Sequence, residues 1–292
     1  MSSEQVDVRP SPIAGTWYPG TETELRRAME RFFADEGNEF VSPVGDLLGL
    51  VVPHAGYYYS GACAAAAFQA LCGKSYQKVI IISPSHRAYT APLLTSGHDA
   101  YETPLGLVTV DHLALNQLNT ILNNHHLGLK TVRFDQEHAL EIELPFLQFT
   151  LGNDFEILPI MMVDQRENTA QALALALFEL IQSLDSTEKV LLVASTDLSH
   201  FHHQRVAQKL DKAFIDALQT GDPKQLYRAA NTGKTEACGL GPTACVLETC
   251  QLLGANAITI TDYRDSSCAG GDKSSVVGYV SALITREDKA NV

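Results

Sequence analysis

Short apolar segments that alternate with helix-like segments constrain the fold of this chain more than any other feature of its sequence. Strands are predicted at residues 47–52, 78–82, 156–163, 189–194, 258–261 and 276–284. Helices are predicted from Thr21, which forms a capping box with Glu24, and at residues 60–71, 169–184, 203–220 and 242–253. Strands and helices in alternation form a sheet that carries helices on both faces. We therefore predict an α/β fold, a three-layer α/β/α sandwich with a central mixed, largely parallel sheet.

No stretch rich in proline, glycine or serine, and no shift in composition, divides the 292 residues. The prediction is a single domain over residues 1–292. Hydrophobic residues make up 45% and charged residues 19% of the chain, which is typical of globular proteins. The 34 acidic and 21 basic side chains give a formal net charge of -13. Such a charge repels a phosphate backbone, so nucleic acid is not an expected partner.

The first twenty residues contain no apolar segment of the kind found in a secretory signal. No run approaches the ~18 consecutive apolar residues that cross a bilayer. The sequence therefore predicts a cytoplasmic protein without a membrane partner. Cys63, Cys72, Cys245 and Cys250 lie in apolar helical segments, so we expect buried small side chains rather than disulfides.

Three of the predicted strands end in a polar turn that contains histidine. The turns carry His54 after residue 52, His86 after residue 82, and Asp197 and His200 after residue 194. Ligands bind beyond the carboxyl ends of strands in open α/β sheets. If these strands are parallel, the four side chains converge at one edge of the sheet. The alternative for each histidine taken alone is a loop cap or a surface residue.

Two further polar segments could add to this site. Cys238 lies in a glycine-rich turn directly before a helix, where the thiolate form is favoured; a simple turn cysteine is the alternative. His138, within residues 137–141, could hydrogen-bond a metal ligand or a substrate, or cap a helix. Trp17 and Tyr18 could line a pocket wall or pack on the core. The remaining paired histidines are expected to be solvated: His125, His126, His202 and His203.

The sequence resembles the Memo family, also called system protein B of the AmmeMemoRadiSam set, nearly from end to end. The shared motifs are residues 14–19 (AGTWYP), 53–57 (PHAGY), 83–86 (SPSH), 137–141 (EHALE), 195–200 (STDLSH), 238–239 (CG) and 276–279 (VVGY). That family is similar to the class III extradiol dioxygenases, which hold non-haem Fe(II) with two histidines and a carboxylate. The resemblance implies that His54 and His86 are metal ligands and that Cys238 replaces the carboxylate.

The resemblance also implies an iron or copper cofactor, and His200 in the position of the catalytic acid/base histidine. Partners from a radical-SAM system are implied by the family name. A thiolate with two imidazoles suits copper or zinc better than the Fe(II) chemistry of a carboxylate triad. The similarity to dioxygenases therefore supports the predicted fold and the position of the site more strongly than it supports the reaction.

Four hypotheses for function remain open at this point. The first is a metal-dependent redox or oxygen-using enzyme of unknown substrate, in which His200 transfers protons and Asp197 and His138 orient the ligands. The second is zinc-type hydrolysis with the same ligands. The third is a non-catalytic module that binds a peptide or handles metal. Recognition of a phosphorylated peptide would require arginines that lie close together in space, and the candidates are Arg87, Arg133, Arg205 and Arg264. The fourth is a metal-free enzyme with Cys238 as nucleophile.

Overall fold

The computed structural model describes residues 6–35 and 41–288 of the chain. The strands of this part are β1 (Val8–Arg9), β2 (Asp46–Val52), β3 (Lys78–Pro84), β4 (Leu93–Ser96), β5 (Ala100–Thr103), β6 (Gly106–Val110), β7 (Leu129–Val132), β8 (Glu156–Met162), β9 (Val190–Ser195), β10 (Asp197–His202), β11 (Ala257–Asp265) and β12 (Val276–Arg286). The α-helices are α1 (Glu22–Phe33), α2 (Tyr57–Phe68), α3 (His112–Asn124), α4 (Leu144–Leu151), α5 (Glu167–Ser183), α6 (Gln204–Gln219), α7 (Pro223–Asn231), α8 (Leu240–Leu252) and α9 (Ser267–Gly270).

Within the described ranges, 12 strands form one mixed sheet. Its main path runs β1-β5-β6-β8-β3-β9-β2-β12-β10, with β11 paired to β12 and β4 joined to both β7 and β8. The central strands β6, β8, β3, β9 and β2 are parallel to one another. Strand β12 is antiparallel to β2, β10 and β11. This arrangement confirms the predicted α/β fold with a mixed sheet and a parallel centre.

The central strands read as continuous apolar runs because helices cover them on both faces. Strand β2 packs against α2 and also against α8. Gly49 permits the approach of α8, since a Cβ atom at this position would lie 2.8 Å from Sγ of Cys250. None of the helices in the described part is both long and apolar enough to cross a membrane.

A buried ion-pair network ties the amino-terminal segment to the loop before α4. Arg9 is 1% exposed, and its Nη2 lies 2.8 Å from Oδ1 of Asp135. Its Nη1 contacts Oε2 of Glu141, and its Nη2 donates to the carbonyl oxygen of Glu137. Tyr18, which is buried, donates a hydrogen bond to Oε1 of Glu141. The segment 135–141 is therefore held from one side by side chains near the amino terminus.

Some local predictions differ from the structure. Cys63, Cys245 and Cys250 are buried as predicted, but Cys72 is exposed because the chain leaves its helical segment at Leu71. Helix α5 begins at Glu167 with Arg166 as its cap, not at Thr169. Residues 93–132, which have no assignment from sequence periodicity, form β4 to β7 and α3. The predicted turn around His200 is strand β10, which is irregular and bulged against β12.

Candidate metal centre

The carboxyl ends of β2, β3 and β9 lie side by side because these strands are adjacent and parallel in the order β3-β9-β2. His54 follows β2, His86 follows β3, and Ser195 ends β9. The chain then turns at Thr196 into β10, which begins with Asp197. The structure thus brings together the three histidine-bearing strand ends that the sequence predicts.

Cys238 joins these histidines from a segment far along the chain. One donor atom from each of His54, His86 and Cys238 lies within 4.8 Å of the others. The Sγ atom of Cys238 is 3.0 Å from Nε2 of His54. Gly239 allows this approach, because a Cβ atom there would lie 2.3 Å from the carbonyl oxygen of Ser195. The turn before α8 therefore needs glycine at this position in order to place the thiol.

The ring of His54 is held by a buried hydroxyl. Its Nδ1 lies 2.7 Å from Oγ of Ser195, which also lies 2.6 Å from the carbonyl oxygen of Ala139 and 2.9 Å from Oε1 of Glu143. A carbonyl oxygen only accepts, so the single hydroxyl proton goes to Ala139. Ser195 must then accept from the other two groups. Burial raises the pKa of Glu143 well above its usual range, which favours the protonated carboxyl that can donate to Ser195.

The same network fixes the tautomer of His54. Because Ser195 accepts from Nδ1, the proton of a neutral ring is on Nδ1 and the lone pair is on Nε2. Burial lowers the pKa of His54 well below its usual value, which favours the neutral ring. The backbone N–H of His54 donates to Oδ1 of Asp197 at 2.8 Å. The lone pair of Nε2 therefore faces Cys238, in the state that binds a metal.

Glu137 orients His86 in an equivalent way. Its Oε1 lies 2.9 Å from Nδ1 of His86, and its Oε2 accepts the backbone N–H of the same residue. Its Oε1 also accepts the backbone N–H groups of His138 and Ala139, each at 3.0 Å. Burial opposes ionisation here, but these hydrogen bonds outweigh it and lower the pKa of Glu137 to about 2. The ionised carboxylate leaves Nε2 of His86 free.

Cys238 lies directly before helix α8, but its thiol is not acidic in the metal-free protein. Burial and the nearby Asp197 carboxyl raise the pKa of Cys238 well above its usual range. The backbone N–H of Asp197 donates to Sγ at 3.2 Å but does not compensate for the lost solvation. The sequence-based expectation of a thiolate is therefore wrong for this state, because desolvation outweighs the helix N-terminus.

The three residues predicted to act in proton transfer or orientation all line one cavity with His54 and His86. Asp197 is buried, and burial raises its pKa to about 7. Burial lowers the pKa of His200, and it lowers that of His138 to about 4. The ring of His138 lies 4.8 Å from that of His86 and 4.1 Å from Trp17. His138 is thus a cavity side chain.

The cavity has a volume of about 800 Å³ and opens beside the donor cluster. Its lining residues come from the amino-terminal segment, α2, the strand ends and the segment 266–279; they are Thr16, Trp17, His54, Ala55, Gly56, Tyr58, Tyr59, His86, His138, Asp197, His200, Phe201, Ser266, Gly270, Asp272, Ser275, Val277 and Tyr279. Cys238 is not among them. Its sulfur contacts His54, which is itself a wall residue, so a molecule in the cavity meets the histidines first.

Sequence reasoning missed Glu137, Ser195 and Glu143, which orient the two histidines. Their signal was present, since Glu137 precedes His138 and Ser195 ends an apolar strand, but spacing does not reveal hydrogen-bond partners. The four arginines considered for phosphate binding do not line the cavity. Arg133 pairs with Asp7, and Arg264 pairs with Asp35 and Asp262.

Replacing Glu137 by glutamine should make the metal-free protein less stable by about 3 kcal/mol at neutral pH. The folded-state pKa is depressed to about 2 from an ordinary 4.5, so this stabilisation is present above pH 4.5 and is lost as the pH falls toward 2. Urea unfolding of chelator-treated protein from pH 7 to pH 3 measures it, with Glu236→Gln as the control, because Glu236 also contacts a histidine but is half exposed. Equal pH dependence in Glu137→Gln and the parent protein would contradict the assignment.

The fold and the site define a class: an α/β protein with two histidines and one cysteine clustered at the carboxyl ends of parallel strands. A family model described as Memo-like protein matches residues 9–283. The chain belongs to the Memo family. A solved structure titled as an uncharacterized protein, JW3007 from Escherichia coli K12, matches with a TM-score of 0.53 at 14% identity. The match covers 81% of this chain and 99% of that one. At this identity it shows only that the two folds are similar.

Relatives described as MEMO1 family proteins cover nearly the whole chain. The protein of Methanococcoides burtonii is 35% identical over 95% of this chain and 100% of its own length. That of Nitrosopumilus maritimus is 32% identical over 93% of this chain and 98% of its own length. That of Thermotoga neapolitana is 35% identical over 95% of this chain and 100% of its own length. These matches confirm the family expected from the sequence motifs.

Proposed function

We propose that His54, His86 and Cys238 bind one transition-metal ion, and that the protein is a metal-dependent enzyme of the redox or oxygen-using type. The observation that carries this proposal is the clustering of three donor atoms within 4.8 Å of one another beside the cavity. The substrate is a small molecule that fits about 800 Å³. Iron or copper is the proposed cofactor, with zinc as the alternative.

The chemistry of the donor set fits a metal. Histidines that bind metals nearly always donate their second ring N–H to a carboxylate, a carbonyl oxygen or another polar group. His86 has such a partner in Glu137, and His54 has one in Ser195. Both rings therefore offer Nε2 as the ligand atom. Cys238, whose Sγ lies in hydrogen-bond contact with His54, would have to lose its thiol proton in order to bind a metal.

A redox-active ion would supply electron transfer, and zinc would supply Lewis acidity. The surrounding residues supply the rest of the chemistry. His200 is the side chain we assign to proton transfer, because it lines the cavity and lies outside the donor cluster. Asp197 holds the backbone of His54 and also reaches the cavity wall, so it can take or give a proton there. His138 lines the cavity beside His86, where it can contact a substrate.

Metal-free catalysis by Cys238 is the second candidate, and the 3.0 Å contact between its Sγ and Nε2 of His54 favours it. Two observations favour the metal instead. Cys238 does not line the cavity, and burial raises the pKa of its thiol rather than lowering it. A nucleophilic thiol would need to reach the substrate and to ionise readily. The zinc-type hydrolase uses the same three ligands and differs from the main proposal in the metal.

Crystals of protein purified without chelator, measured across the iron, copper and zinc absorption edges, test the proposal. We expect one anomalous peak between the three ligand atoms at the iron or copper edge. An absorption spectrum that changes on exposure of the reduced protein to air supports the redox type. A colourless zinc form that cleaves esters would replace that type with the hydrolase. Absence of metal together with rapid alkylation of Cys238 would overturn the proposal in favour of the thiol.

A further inference from the structure

Four large aromatic side chains remain exposed around the cavity. Trp17, Tyr58, Tyr59 and Phe201 all line it, with exposures of 37%, 68%, 47% and 76%. They come from three separate parts of the chain: the amino-terminal segment, α2 and β10. Aromatic side chains gathered at a cavity in this way mark a binding surface, because their exposure costs stability unless a ligand covers them.

The backbone of β10 supports this interpretation at Phe201. This residue has a φ of 61°, in the left-handed region that non-glycine residues rarely adopt. The strand is irregular against β12 on both sides of His200. Strain of this kind persists where surrounding structure enforces it, and it concentrates at functional sites. The distortion leaves His200 and Phe201 on the wall of the same cavity.

The cavity wall carries acidic side chains. Among the described residues, its lining contains the carboxyl groups of Asp197 and Asp272 but no lysine or arginine. Hydrogen bonds from the backbone and hydroxyl of Ser274 lower the pKa of Asp272, which keeps this carboxylate ionised. An anionic ligand would therefore meet no lysine or arginine on the wall, while a cation would find the carboxylate of Asp272 and the aromatic faces.

We propose that the cavity binds a ligand that combines a flat apolar group with an ammonium group. The ammonium lies against the exposed aromatic rings and Asp272, and the apolar group extends toward Trp17 and His138. This inference rests on the proposed function, because it names the substrate class of the same site. The attraction between a cation and an aromatic face, together with the nearby carboxylate, favours the ammonium ligand over neutral and anionic ligands of similar shape.

The fluorescence of Trp17 can report ligand binding, because Trp17 is the one tryptophan in the sequence and lines the cavity. Three probes share one phenethyl group and differ in charge: phenethylammonium, 2-phenylethanol and 3-phenylpropanoate. Titration of the tryptophan fluorescence of chelator-treated protein should show phenethylammonium binding about fivefold or more tightly than the alcohol. The propanoate should bind most weakly. Equal or tighter binding of the propanoate overturns the proposal, and so does the absence of a fluorescence change with all three probes.

Two substitutions separate the local contacts from the overall negative charge. Asp272→Asn should reduce the preference for phenethylammonium over 3-phenylpropanoate about threefold. Asp154→Asn changes the net charge equally but lies before β8, at the opposite edge of the sheet, so it should leave the preference unchanged. Equal effects of the two variants overturn the local assignment. Tyr58→Leu should weaken binding of the ammonium more than that of the alcohol, and equal weakening of both overturns the cation–aromatic contact.

The metal content of the same preparations keeps this proposal distinct from the previous one. If the protein binds no metal yet prefers the ammonium probe, the metal proposal fails alone. If it binds metal but the chelator-treated form prefers the propanoate, the ligand assignment fails alone. The comparison uses the chelator-treated form because an anion could bind directly to a metal ion.

Discussion

Alanine in place of His86 is expected to lower metal affinity by at least ~100-fold while the protein remains folded. Substitution of residues that merely orient a metal ligand typically costs 10- to 100-fold, so loss of a ligand should cost no less. His86 is the informative choice because its side chain is 36% exposed, whereas that of His54 is 2% exposed and helps to fill the interior. Dialysis against a metal buffer followed by elemental analysis gives the affinity.

His112→Ala is the matched control for this substitution. His112 is a partly exposed histidine with a carboxylate neighbour, Asp99, and it lies outside the cavity lining. Its removal should leave metal binding unchanged. Circular dichroism and thermal unfolding verify that both variants are folded. Full metal occupancy in a folded His86→Ala protein would remove this histidine from the proposed ligand set.

Alanine in place of Arg9 is expected to destabilise the protein by about 3–5 kcal/mol. Arg9 is 1% exposed and contacts the carboxylates of Asp135 and Glu141, so its removal leaves buried acidic groups without their cation. The same substitution releases the carbonyl oxygen of Glu137. Urea unfolding followed by circular dichroism measures the change, and we expect reduced metal affinity in parallel, since segment 135–141 positions His86 and His138.

Arg26→Ala provides the comparison for Arg9→Ala. Arg26 also pairs with a glutamate, Glu22, but both side chains are about half exposed, at 48% and 58%. An exposed pair of this type contributes about 0.3–0.5 kcal/mol. The two substitutions remove the same functional group, so the difference between their stability losses measures the effect of burial on the contribution of the ion pair. A loss of less than about 1 kcal/mol in Arg9→Ala would show that the network contributes little to stability.

The positions of His54 and His86 could be predicted from sequence because each follows a short apolar run rich in Val, Ile and Leu. Such runs mark the buried parallel strands whose ends converge. The contact of Cys238 with His54 joins residues 184 apart in the chain, and no local pattern encodes that pairing; it came from family resemblance. The irregular strand β10 was not predicted, since its sequence is polar and Phe201 adopts a left-handed backbone conformation.

The protonation states around the site were also beyond sequence reasoning. A cysteine before a helix suggested a thiolate, yet burial beside Asp197 raises the pKa of Cys238. Whether desolvation or a hydrogen bond dominates depends on how deeply each group lies, which is a property of the assembled fold. Hydrogen bonds dominate at Glu137 and lower its pKa, whereas desolvation dominates at Asp197 and raises its pKa.

The order of strands in the sheet has a consequence for synthesis on the ribosome. Strand β2, completed near residue 52, pairs on one side with β9 and on the other with β12, which ends at Arg286. Both edges of β2 therefore lack their partners while most of the chain is still being made. Pairings between distant segments form slowly and expose apolar edges in the meantime. His54, which follows β2, therefore reaches its final position only after the segment from β9 to β12 has been made.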